Sequence, residues 1–251
     1  MRRLVVATLL LALLPVPQAA ADPPPFHPSQ LRNLGDARQV VVVSSPSWHS
    51  THATLRAYRQ DRDGKWRLRF GPWRARVGYA GMVRADERRQ DTGTTPAGTF
   101  RLLYGFGSRR DPGTRLDRYV RFDGDDWWPY DKQDPSTYNV LQRSRSPHAR
   151  WRKSEAERLA RWGRGQYRYS IVLDYNLPGG VHWSDRQKQY VADEPADTRR
   201  GGGIFLHVNG KGATAGCVSV GLLRMRKLLR WLDSERDPRI VVGPRSVIDR
   251  L

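Results

Sequence analysis

Apolar residues along this chain recur mainly with a period of two, the signature of strands with one buried face. Residues 40–43 are four consecutive valines, fit for a strand covered on both sides. Residues 54–59 alternate apolar and polar, Asp61, Arg62, Asp63 and Gly64 supply turn chemistry, and Trp66, Leu68 and Phe70 then alternate with Arg67 and Arg69. That pattern predicts a hairpin. Gly71-Pro72 is expected to close it, with 74–79 continuing in the same style. A turn over 93–98 leads into a strand at Phe100, and 169–175, 204–208 and 240–242 predict further buried strands. Residues 111–138 are rich in Asp, Gly, Pro and aromatics and predict long ordered loops, the usual carriers of binding function. A short helix is expected over 155–162, stopped by Gly163 and Gly165. A clearer one follows, where Leu222, Met225, Leu229 and Leu232 recur at helical spacing with Arg224, Arg226, Lys227 and Arg230 mostly on the other face. The fold class is mainly β, with one or two helices packed on a sheet and long loops.

The first residues change the picture of where this fold works. Arg2 and Arg3 precede an apolar run over 4–14, and Ala19, Ala20 and Ala21 offer a small-residue cleavage site, so 1–21 reads as a signal peptide. Eleven apolar residues are too few to span a bilayer, which needs roughly 20. If uncleaved, the segment is an N-terminal anchor. Residues 22–38, with Pro23, Pro24, Pro25 and Pro28, read as a proline-rich linker, leaving 39–251 as one domain. Export to the cell envelope, the periplasmic space or the medium is the expectation.

Charge adds a partner class. Lys and Arg number 44 against 25 Asp and Glu, a net +19, and removal of Arg2 and Arg3 leaves +17 (19 − 2). Such a chain favours anionic surroundings, among them cell-wall polymers. Nucleic acid is disfavoured by export and by arginines interleaved with acids and tryptophans instead of gathered in a basic arm.

Cys217 is the only cysteine. Exported domains commonly carry cysteines in even numbers, so a solitary thiol is inert packing, an intermolecular bridge or a nucleophile. His207 ends a predicted buried strand ten residues earlier, and the flexible 209–213 stretch allows the chain to fold back on it. The run Thr214, Ala215, Gly216, Cys217 can aim successive amides at one point, as an oxyanion requires. If His207 lowers the thiol's pKa, Cys217 should alkylate faster than a model thiol at neutral pH.

Taken in order, the motifs resemble the L,D-transpeptidase catalytic domain, or YkuD-like, family, in its branch with a Thr-Ala-Gly-Cys nucleophile. The likeness covers roughly 66–243. It rests on Thr95, Pro96, Gly98 and Phe100; on Asp126-Trp127-Trp128 followed by Tyr138-Asn139; on Tyr175-Asn176; on the 202–208 strand; and on 214–218. The resemblance implies a YkuD-like β-sandwich or sheet. It also implies Cys217 as nucleophile and His207 as base, with the imidazole's second nitrogen held by the carbonyl of Val208 or Asn209. The amides of Ala215, Gly216 and Cys217 would form the oxyanion hole. It further implies attack on the tetrapeptide stem of peptidoglycan through a thioester, 3→3 cross-linking by an amine acceptor, and no metal or organic cofactor. A hydrolase using the same pair, or a non-catalytic wall-binding protein, is the alternative. The better-known branch carries histidine where Ala215 stands, and Arg or Asn where Ser219 stands. Thr214, Ser219, Trp127, Trp128, Asn176 and His182 are the candidate substrate contacts, His182 as a replacement for the lost polar group.

Overall fold

The computed structural model describes residues 26–251; the expected signal peptide and residues 22–25 lie outside the described residues. In chain order the strands are Gln39–Ser45 (β1), His52–Gln60 (β2), Trp66–Arg76 (β3), Met82–Arg84 (β4), Thr95–Gly107 (β5), Tyr119–Arg121 (β6), Trp127–Pro129 (β7), Ala156–Arg158 (β8), Ser170–Leu173 (β9), Gly179–Ser184 (β10), Gln189–Glu194 (β11), Phe205–Val208 (β12), Val218–Val220 (β13) and Arg239–Pro244 (β14). One α-helix, Leu222–Trp231 (α1), lies between β13 and β14.

The main sheet runs β14-β1-β2-β3-β13-β12-β9-β5-β4, and β5 also pairs with β14. β5 is long enough to do both: Gly98 to Arg101 register with β14, and Leu102 to Phe106 with β9. The sheet therefore closes on itself. One buried cluster draws side chains from every strand of the ring, among them Val41, Leu55, Ala75, Val220, Leu206, Ile171, Leu102 and Ile240. The stripe Met225, Leu228, Leu229 of α1 and the following Leu232 complete that interior, all fully buried. Each such side chain contributes about 1.5–3 kcal/mol of hydrophobic stabilisation.

A second cluster covers the outer face of β12, β9 and β5, where Phe205, Val172 and Phe106 meet Trp128, Leu159 and Tyr167 from the connection after β5. This connection forms a roof over one side of the ring, with Cys217 and His207 packed against it.

Three expectations change. Residues 155–162 are not an α-helix: Lys153–Glu155 and Leu159–Trp162 are 3-10 turns flanking β8, which pairs antiparallel with β7. Within the stretch only Leu159 is buried, so a helix there has no apolar stripe to bury, and strand pairing prevails. Gly71-Pro72 does not close the hairpin. β3 runs through it by a bulge against β2, and Gly71, at φ 104°, lies where a Cβ would stand 2.5 Å from the Leu55 carbonyl. The proline-rich segment packs from Phe26 onward, with Phe26, Leu31 and Leu34 covering the outer face of β1 and β14. A hairpin of β10 and β11 was not legible in the pattern.

Candidate active site

β12 is buried on both faces because it lies between the ring interior and the roof. Its alternation sends Leu206 and Val208 inward and leaves Phe205 and His207 facing the roof. His207 is 2 % exposed. Its Nδ1 lies 2.8 Å from the Val208 carbonyl oxygen; that oxygen only accepts, so Nδ1 carries the proton and the Nε2 lone pair is left for base chemistry. The ring of Tyr167 meets the imidazole edge-on at 5.6 Å. Burial pushes the His207 pKa down to about 4, against a small opposing effect of the Val208 carbonyl. The resting imidazole is neutral.

Cys217 is set by a braced loop. The Thr214 N–H donates to the Val77 carbonyl at 2.9 Å, and the Tyr79 N–H to the Thr214 carbonyl at 2.7 Å. Thr214 Oγ1 donates to the Cys217 carbonyl at 2.5 Å and accepts from the Gly216 N–H at 3.2 Å. Thr95 Oγ1 reaches the same Cys217 carbonyl at 3.4 Å, which ties the start of β5 to the Cys217 turn. The thiol donates to the Gly203 carbonyl at 3.2 Å and accepts from the Phe205 N–H at 3.3 Å.

Burial pushes the Cys217 thiol up to about 12; Glu157 adds to this, while the Phe205 N–H and Arg88 oppose it. No hydrogen bond joins Cys217 to His207 among the described residues. The pair rests as thiol and neutral imidazole. The expectation that His207 depresses the thiol pKa is therefore not met in the free protein, because a neutral imidazole carries no charge with which to do so.

The thiol opens on a cleft of about 1130 Å³, lined among others by Tyr79, Arg88, Trp127, Tyr130, Glu157 and Ala215. Arg88 is buried, with Nε donating to the Thr94 carbonyl at 2.9 Å and Nη1 to the Arg200 carbonyl at 2.6 Å. Its Nη2 lies 3.0 Å from where a Cβ on Gly216 would stand, which brings a fixed cation to the Cys217 turn. Glu157 Oε2 accepts from Tyr167 at 3.0 Å, and burial raises its pKa to about 7. Sequence reasoning missed Arg88 and Glu157. The first is one arginine among many in the chain, and the second lay in the segment expected to be helical.

The remaining candidates separate by position. Ala215 is exposed at the cleft and Trp127 lines it. Thr214 is the brace of the turn. Trp128 is 1 % exposed and packs on Phe205 and Phe106, so its ring is core and not a wall of the cleft. Ser219 stands in register with His207 one step deeper than Cys217, fully buried, and is no surface for a substrate. Asn176 clamps the loop between β11 and β12, donating to the Asp197 and Gly201 carbonyls at 2.9 and 2.7 Å. His182 is exposed on β10, near Asp193 at 3.5 Å, and does not line the cleft; it replaces nothing there. Among the described residues, no group of three or more His, Cys, Asp or Glu side chains is arranged to hold a metal ion.

The family model of YkuD, the L,D-transpeptidase catalytic domain, matches residues 38–243. No curated protein and no solved structure matches the chain. The family match takes in the closed sheet, the roof and the Cys217 turn, and the chain belongs to the YkuD family of L,D-transpeptidase catalytic domains.

Proposed function

We propose that this protein is an exported cysteine acyltransferase that cross-links peptidoglycan stem peptides through a thioester at Cys217. The observation that carries the reading is the Cys217 thiol on the cleft, with a histidine on the neighbouring strand whose tautomer is fixed for base chemistry by Val208.

The chemistry follows from the neutral resting pair. Entry of the stem peptide places its carbonyl above Cys217. His207 Nε2 takes the thiol proton as sulfur attacks, and charge moves to the carbonyl oxygen. The Gly216 N–H is engaged by Thr214 Oγ1, which leaves the Ala215 and Cys217 amides as donors to that oxygen. Collapse breaks the C–N bond, and the imidazolium gives its proton to the departing amine of the terminal residue. Arg88 is the cation suited to that residue's carboxylate. The thioester then waits for an amine, giving a 3→3 link, or for water, giving a trimmed stem.

Intact mass spectrometry tests the reading. Incubation with a tetrapeptide stem should add the tripeptide acyl mass to the wild type and nothing to Cys217→Ala, and a carbapenem should label the same thiol. Product formation by Cys217→Ala would remove the mechanism. Trimmed tetrapeptide with no dimer in the presence of an amine would leave a carboxypeptidase.

A further inference from the structure

Glu157 is a carboxylate for which acyl transfer by Cys217 and His207 alone has no use. It sits on β8, facing the same cleft as the thiol. The groups turned toward it are the Tyr167 hydroxyl at 3.0 Å, the side chains of Tyr130 and Trp162, and Arg161 at longer range. Its near partners are thus neutral donors, which hold a carboxylate in place without cancelling its charge. Arg161 lies over the Trp162 ring, 5.4 Å from its centre. A negative charge here also opposes formation of the Cys217 thiolate, so its placement hinders the first half of the reaction.

We infer that Glu157 binds the ammonium group of the acyl acceptor and removes its proton, making it the base of the second half-reaction. The assignment rests on the transpeptidase reading above and names the acceptor class, a primary alkylamine. The acceptor R–NH3⁺ gives one proton to the Glu157 carboxylate. The neutral amine attacks the thioester carbon, the C–S bond breaks, and the second amine proton passes to His207 Nε2 and on to the leaving sulfur. The amide keeps one N–H, Cys217 regains its thiol, and Glu157 sheds its proton to water. A carboxyl that titrates near 7 is matched to this exchange at neutral pH, while Tyr130 and Tyr167, pushed far upward by burial, stay protonated as donors. Arg88 also bears on the thiol, and Arg88, Glu157 and Cys217 line one cleft, so a carboxylate-binding group and an ammonium-binding group share the cavity on which the thiol opens.

The test compares wild type with Glu157→Gln in two steps. The first is acyl-enzyme formation from a tetrapeptide stem by intact mass. The second is partition of that acyl-enzyme between water, Nα-acetyl-lysine and hydroxylamine, the last of which is largely neutral at pH 7 and needs no deprotonation. In the variant, transfer to acetyl-lysine should fall about a hundredfold, while acylation does not slow and hydroxylamine still captures the acyl group. Undiminished transfer to acetyl-lysine would overturn the assignment and leave the transpeptidase reading standing. A wild type that never acylates would overturn both. If the variant is unfolded by circular dichroism, the wild type decides. Nα-acetyl-Nε-trimethyl-lysine should inhibit transfer to Nα-acetyl-lysine without slowing acylation, and absence of inhibition would overturn the assignment.

Discussion

Asn139 Oδ1 accepts the backbone N–H of Gly203 at 2.8 Å, and the carbonyl of that same Gly203 takes the thiol hydrogen of Cys217. The same Oδ1 also accepts the Trp128 indole N–H at 2.7 Å, and Asn139 Nδ2 donates to the Asn176 carbonyl at 2.7 Å. One amide thus ties the roof to the backbone that orients the Cys217 thiol.

Asn139→Ala should lower turnover although Asn139 contacts no reacting atom, and should destabilise the fold by about 1–3 kcal/mol through the buried groups it orphans. Gly203→Ala should be more severe. Gly203 has φ +62°, and a Cβ there would overlap the Tyr130 hydroxyl. Urea melts and acyl-enzyme yield measured together check both; an Asn139→Ala variant with wild-type yield would break the link.

Alkylation of Cys217 in the free protein should be slow at pH 7. A thiol pushed up to about 12 holds almost no thiolate there. Iodoacetamide should label a model thiol faster, with the Cys217 rate climbing through the alkaline range. Removing the nearby cation in Arg88→Met should slow labelling further. Fast neutral labelling, insensitive to Arg88, would contradict the neutral resting pair.

His207 makes stability fall in acid. Its folded pKa of about 4 lies below the ordinary 6.5, so on acidification the unfolded chain binds a proton first. The contribution is complete above about 6.5 and is lost as pH falls from there to 4, about 3 kcal/mol at the limit. Glu157, raised from 4.5 to about 7, acts with opposite sign in nearly the same window. It takes up a proton more readily in the folded state and adds stability as pH falls. Only comparison with variants separates the two. Relative to His207→Gln, the wild type should lose its advantage between pH 7 and pH 4.5 in urea titrations.

Asp131 anchors the roof. It is buried, with Arg152 Nε and Nη2 on its two oxygens at 2.9 Å each and the Arg152 N–H at 2.9 Å. These bonds hold its carboxyl well below the usual range, so its contribution persists above pH 4 and disappears only in stronger acid. Asp131→Asn should cost about 1–3 kcal/mol, less than the geometry suggests because the guanidinium is half exposed. Thermal melts at pH 7 and pH 2.5 check this: the gap between wild type and variant should narrow at the lower pH without closing.

The strands of the ring were legible because their burial is one-sided or total: valines 40–43 and residues 204–208 announce themselves by composition. Cys217 and His207 stood out as candidates for a different reason, a lone thiol in a Gly-rich turn after an apolar run. What was not legible depends on contacts distant in sequence. Glu157 faces the cleft only because β8 pairs with β7, some thirty residues earlier. Trp128 and Ser219 looked like substrate contacts because sequence proximity to a motif does not say which side of a strand faces the cleft. Arg88 is separated by more than a hundred residues from the turn it reaches.

The last strand of the ring carries a temporal meaning. β14 lies between β1 and β5, so until it emerges both of those strands keep an open edge and the sheet cannot close. Cys217 precedes it in the chain. A nascent polypeptide therefore displays Cys217 before the ring that surrounds it can close, and the cleft is completed only with the last strand. A copy truncated before Arg239 should be an inert, sticky fragment instead of a weakened enzyme.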